Sequence, residues 1–425
     1  MAQADHDVPS NPPLLRIAHD AAPGSALTVP LSFQATVRAL ALGQLLCWAA
    51  LYYTFSSFVL PMQRELAWTS PQLMGAFTTG LAVWGVATYA AGAAIDRGHG
   101  RWVLSGGAAI GGLGFMLWSL ATSLGLLYSA WVVLGMAMAM CMYEPAFSVL
   151  TKRFPDRFAQ GITALTLVAG FASTLAFPAA AWLIACCDWR GALQIIGAVL
   201  LFVVAPLHSW ALRGTPAVAP APAAGTARQD ATLHEALREP RFWLLTTSFT
   251  LYAFAAAAIW AHIMPAFAAK GLSERQSLAV VVWFGPAQVA GRVAYVMFGK
   301  RLSIRALGLL VLAGMPLSLA IFALSNQVGA MLLFALLFGV ANGLVTIVRG
   351  TIVPQAFGHS HLGRISGAMS AISLLSRAAA PLAAAALLLV VAGYREMLLL
   401  LAGLGVAALV AFAMAGPGKG HKPLG

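Results

Sequence analysis

Stretches of about 20 mostly apolar residues recur along nearly the whole chain, each long enough to cross a hydrocarbon core of about 30 Å. Short charged or turn-rich breaks separate them. This places spans near 36–60, 72–95, 102–122, 126–149, 160–186 and 191–212, then 242–266, 276–299, 304–324, 328–353, 364–389 and 395–415. Backbone inside lipid must satisfy its own hydrogen bonds, so runs of this length are helices. Only 9% of the 425 residues are charged, against about a quarter in soluble domains, too few to cover a water-facing surface. The expected fold class is an all-α membrane protein of twelve transmembrane helices.

Residues 1–34 carry Asp, Pro and Ser without a basic start leading into an apolar core. They are expected to form a disordered cytosolic tail and not a secretory signal. The first six spans make a half at 35–212. A break at 213–241 contains GTPAVAPAPAAGTARQD, which cannot build a core and reads as a cytosolic linker. Its end, LHEALREPRFW, is expected to be a short surface helix entering span seven. The second half covers 242–415, and 416–425 is a cytosolic tail. With both termini inside, cytosolic segments hold 17 of the 25 Lys and Arg, outer loops hold five, and three lie within spans. That bias sets the topology as N-in and C-in. Basic residues scattered in short loops, and not along one face, also argue against nucleic acid as the partner of this +12 chain.

An internal repeat runs at an offset of about 205 residues. LYYTF at 51–55 matches LYAF at 251–254, and Pro61 matches Pro265. Ser70 pairs with Ser273, Gly80 with Gly285, Gly161 with Gly367, and Trp189–Arg190 with Tyr394–Arg395. Two parallel six-helix repeats point to a carrier that rocks about a central site. No ATP-binding loop is present, and no acid/base pair or metal-ligand cluster of the kind membrane enzymes need. GGAAIGGLGF at 106–115 lies inside span three as a helix-packing surface. The chain is therefore expected to have no catalytic residues, no metal and no cofactor. Cys47, Cys141, Cys186 and Cys187 lack metal-ligand spacing and are expected to be packing residues. Trp68, Trp102, Trp189 and Trp243 sit at span ends as expected interface anchors.

Charges inside spans are costly and persist for function or pairing. Four qualify, Glu144, Arg292, Arg349 and Arg377, and three cations against one anion leave a positive surplus suited to an anionic substrate. Arg377 lies near the middle of span eleven, too deep to reach water by extending its side chain. Helix packing with a backbone carbonyl or a loop carboxylate is the alternative for both Arg292 and Arg377.

The loop between spans two and three reads GAAIDRGHGR at 92–101. It resembles the loop signature of the major facilitator superfamily, a Gly, then an Asp-Arg pair, then a basic end, with His99 at the second glycine. Gly92 is expected to let two helices approach closely. Asp96 is expected to cap a neighbouring helix or to pair with Arg97 or Arg101, forming a gate at the cytosolic rim; a plain solvated turn is the alternative. Within the superfamily the chain is most similar to the bacterial branch of monocarboxylate transporters and oxalate–formate exchangers. The residues that carry this are LYYTFSSFVLPMQRELAW at 51–68, GPAQVAGR at 285–292 and the arginine midway along span eleven.

That resemblance implies a carboxylate held by cations on spans eight and eleven, here Arg292 and Arg377, whose planar forks suit bidentate binding. It implies that Tyr52 and Tyr252, on spans one and seven, line the cavity. Spans four and ten would meet toward the cytosol, which assigns Glu144 and Arg349 to gating. Carriers of this branch often place a proton-carrying acid in span seven or eight. Here Gln288 stands one turn before Arg292, and His262 is the titratable group of span seven and the possible proton site. The expected function is a monomeric secondary transporter in the inner membrane, moving a small organic anion by proton coupling or exchange. An efflux carrier for an amphipathic metabolite or drug is the alternative.

Overall fold

The computed structural model describes residues 31–154, 157–214, 231–298, 302–358 and 362–416. The side chains of Asp96, Ala159 and residues 362–364 lie outside that description, as do nearly all of the expected tails and residues 215–230 of the linker. Every described element is a helix, and eleven helical runs are long and apolar enough to cross a membrane. One of them, Gln160–Ala211, is 52 residues long, which at 1.5 Å per residue is more than twice a bilayer core. It is two spans. At Asp188 the backbone leaves the helix (φ 59°), and the Asp188 carboxylate accepts from the Arg190 and Gly191 amides at 2.6 and 2.9 Å, fixing an outer corner.

The twelve spans therefore run through Phe33–Leu66, Ser70–Ile95, Gly100–Ser119, Leu124–Arg153 and the divided run, then Pro240–Ala269, Glu274–Phe298, Ile304–Leu324, Val328–Phe357, Ile365–Leu387 and Tyr394–Met414. Several spans extend beyond the apolar runs that predict them, because polar ends continue the helix into the interface.

The repeat is visible in bonds as well as in letters. Spans two and eight start on the same capping arrangement, in which Gln72 Oε1 accepts from the Thr69 amide at 2.8 Å and Gln276 Oε1 from the Ser273 amide at 2.9 Å. The structural partner of Ser273 is thus Thr69, one residue before Ser70. At the outer surface Arg190 donates to the Ser119 and Ala121 carbonyls that end span three, and it pairs with Glu65 at 2.9 Å. In the second half Lys270 donates to Ala323 and Ser325 carbonyls that end span nine. Cations thus satisfy the free carbonyls of both helix ends. Trp189 is buried there, donating its indole N–H to Glu65, so it is not the interface anchor its position predicts.

Glycines set the closest approaches. A Cβ at Gly112 would lie 2.7 Å from the Gly197 carbonyl, and one at Gly343 would lie 2.5 Å from the Gln288 carbonyl. Gly92 does not act this way, because a Cβ there would meet nothing within 4 Å. In the 92–101 loop it is Gly98 that needs to be glycine, since its φ is 89°.

The halves touch mainly on the outer side. Ser56 Oγ accepts from the Met264 amide, Thr78 Oγ1 from the Leu382 amide, and Thr174 Oγ1 donates to the Val282 carbonyl at 2.9 Å. Tyr53 and Trp260 meet edge to face at 4.7 Å. These contacts close the outer side of the space between the halves.

Candidate functional site

Five spans lose regular geometry part-way along, span six by a π-turn at Leu200–Val204. Span one carries a π-turn at Ala49–Tyr53, span four breaks at Met142, span five at Gly170 and Phe171, and span eight at Val282 and Trp283. Irregular backbone within the membrane is tolerated where it is enclosed by protein or faces a cavity. The breaks in spans one, four and five adjoin one cavity of about 250 Å³ between the halves.

The walls hold three guanidiniums, Arg292, Arg349 and Arg377, and a single carboxylate, Glu144. Tyr52 and Tyr252 also line the cavity. The structure thus brings together six of the residues singled out in the sequence. For Glu144 and Arg349 it differs from the expected cytosolic contact between halves. The Met142 break opens a new helix at Tyr143, and its first turn points Glu144 into the cavity. A carboxylate suits that position, beside the free amides of a helix start. Among the described residues no ion pair joins Glu144 to Arg349.

The arginines are not equivalent. Arg292 donates from Nη1 to the Thr166 carbonyl of span five at 2.5 Å and from Nε to the Gly343 carbonyl of span ten at 3.0 Å. It therefore ties the two halves while facing the cavity, so packing onto carbonyls and cavity contact coexist in one side chain. Arg349 donates to Ser370 Oγ at 2.8 Å and lies over the Phe249 ring. Arg377 has no hydrogen bond or ion pair among the described residues.

Three further polar atoms in the cavity residues are buried without a partner: Trp48 Nε1, Tyr252 Oη and Gln288 Nε2. Unmet buried donors are expensive and rare. Gln288, Tyr143 and Phe249 were not legible as cavity residues from sequence. The CMYEPAF run of span four, with a proline just after two polar residues, was the available signal for Tyr143.

The remaining sequence candidates lie elsewhere. Asp96 ends span two, with its side chain outside the described residues, and Arg97 is exposed. Arg101 donates to Ser209 Oγ at 2.9 Å within its own half. His262 is fully buried and does not line the cavity. Its Nε2 donates to the Pro381 carbonyl at 3.0 Å, and Nδ1 meets Tyr394 Oη at 3.2 Å. The neutral ring satisfies both bonds, and the contact braces span eleven at its proline. His262→Phe, which strands that carbonyl, should cost about 1–3 kcal/mol of stability. His262→Gln can still donate to it and should cost less, as thermal unfolding in detergent would measure.

The sequence matches the family model of the Major Facilitator Superfamily over residues 40–315. It is 30% identical over 210 residues to an uncharacterized 38 kDa protein in the 23S RNA operon of Thermoproteus tenax, covering 49% of this chain and 52% of that protein. The chain thus spans about half the length of this curated relative. Its structure is similar to a bacterial homologue of the human lysosomal transporter Spinster, inward-facing and unoccupied (TM-score 0.70, 16% identity, 90% of this chain and 96% of that one). It is also similar to the nucleoside transporter NupG (0.66, 15%, 89% and 98%) and to the human organic anion transporter TETRAN (0.64, 15%, 89% and 99%). At these identities the likeness to the solved structures is one of fold.

Proposed function

Because this chain belongs to the major facilitator superfamily, we propose that it is a secondary active transporter that moves a small organic anion, a carboxylate, across the inner membrane by alternating access. The observation that carries this reading is the composition of the cavity wall: three guanidiniums against one carboxylate. Such a wall favours a ligand that brings negative charge and acceptor oxygens, and it penalises a cation. Arg377 is the first ligand of the carboxylate, with Tyr252 and Gln288 as further donors and Tyr52 beside them. Arg292 contributes charge while holding the halves together. Glu144 and Arg349, with the Asp96, Arg97 and Arg101 rim, act in gating as the halves 35–212 and 242–415 rock about the monomer's central cavity. The family and fold are those of a carrier, not of an enzyme.

Uptake of labelled mono- and dicarboxylates into proteoliposomes, with and without a pH gradient, tests the reading. At least one carboxylate should accumulate, and the gradient arm separates proton coupling from exchange. If no carboxylate enters, or if Arg292→Gln and Arg377→Gln both transport normally, the reading fails.

A further inference from the structure

We infer that the cavity is a slot for a planar aromatic carboxylate, with its ring between aromatic side chains and its acid group on Arg377. This rests on the organic-anion reading above and adds what the rest of the molecule must look like.

A short acid such as acetate, formate or oxalate needs only cations and donors around it. Seven of the residues lining this cavity are aromatic, which such an anion does not need. Trp48 packs against Tyr143 at 4.7 Å and against Tyr52 at 5.5 Å, and both contacts face the space between the halves. Tyr53 and Trp260 form the outer end of the same wall. Rings come from spans one, four and seven, so the aromatic surface surrounds the space and does not merely edge it.

Span seven also presents small residues to the cavity, Ala253, Ala256 and Ala257 along one face, and Gly170 does so at the span-five break. Small residues among rings leave room for one more ring. Offset or edge-to-face contact with several rings favours an aromatic occupant over water or an aliphatic chain. Arg377 borders this slot with no hydrogen-bond or ion-pair partner among the described residues. The volume of about 250 Å³ admits one ring with a short acidic side chain.

Calorimetric titration of the purified full chain in detergent tests this with five probes: phenylacetate, acetate, oxalate, phenylacetamide and phenethylamine. Phenylacetate should bind about tenfold or more tightly than acetate, the gain expected from burying and stacking one ring. It should exceed phenylacetamide and phenethylamine by at least a similar factor, because they keep the ring and lose the charge. Acetate or oxalate binding as tightly as phenylacetate overturns the aromatic slot and leaves the anion reading standing. Phenylacetamide or phenethylamine matching phenylacetate overturns the anion reading itself. Binding by none of the five overturns both.

Ala256→Leu locates the effect by filling the slot. It should erase the preference for phenylacetate over acetate. A preference that survives Ala256→Leu in a protein that elutes as wild type places the ring elsewhere and overturns the assignment. If that variant does not fold, the ranking of the five probes on the wild-type chain still decides the matter.

Discussion

Arg377→Gln should lower carboxylate transport about a hundredfold or more in kcat/KM, since two charge-assisted hydrogen bonds to a desolvated carboxylate are together worth about 3 kcal/mol or more. Arg377→Lys should fall in between, because an ammonium keeps the charge and loses the planar fork. The more telling measurement is stability. Arg377 is half-buried and has no hydrogen-bond or ion-pair partner among the described residues, so removing it strands no other group. Removing it should leave the melting temperature unchanged or raise it. Function lost while stability holds is the signature of a ligand-binding group. A large drop in melting temperature would instead mark Arg377 as a packing residue. Arg292→Gln should behave differently and lose both, since it breaks the bonds to Thr166 and Gly343 that join spans five, eight and ten.

Gly343→Leu should be among the most damaging single changes to the fold. Any Cβ at that position would lie 2.5 Å from the Gln288 carbonyl and 2.9 Å from its Cα, and backbone cannot move aside as a side-chain tip can. Spans eight and ten would have to separate, at a cost of about 3 kcal/mol by the usual penalty for overpacking. The same shift would carry Gln288 away from the cavity and pull the Gly343 carbonyl from Arg292, so the second half would lose its support for the site. Gly92→Ala is the matched control. It sits in the loop-signature region that sequence alone makes conspicuous, yet a methyl there meets nothing within 4 Å, and the change should stay within about 0.5 kcal/mol. Thermal unfolding of the two variants in detergent checks the contrast. Equal behaviour would mean that the interface between spans eight and ten yields more easily than its backbone contacts imply.

The two glycines illustrate how legible this protein is. Gly92 lies in a recognisable motif and touches nothing, whereas Gly343 lies in an unmarked apolar run and holds two spans together. Motif position reports what a loop resembles, and close packing depends on which helix lies opposite. His262 makes the same point. As the titratable group of span seven it reads as a proton site, but the helix turns it away from the cavity toward Pro381 and Tyr394. Glu144 shows the reverse case, since the break of span four at Met142 brings it into the cavity wall, a position no run of letters marks.

By itself the sequence determined the all-helical class, the twelve spans, their orientation and the three arginines held within lipid depth. Each of these follows from a cost paid locally: apolar length against bilayer thickness, basic residues against translocation, and charge against low dielectric. Only the tertiary structure decided which side chains meet in one cavity, that Trp48, Tyr252 and Gln288 hold donors without partners there, and that Arg377 stands unengaged while Arg292 is tied to both halves. The reason is rotation. Successive residues on a helix point about 100° apart. The face turned inward is set by glycine contacts and mid-membrane breaks in segments far away in the chain, which no single span encodes.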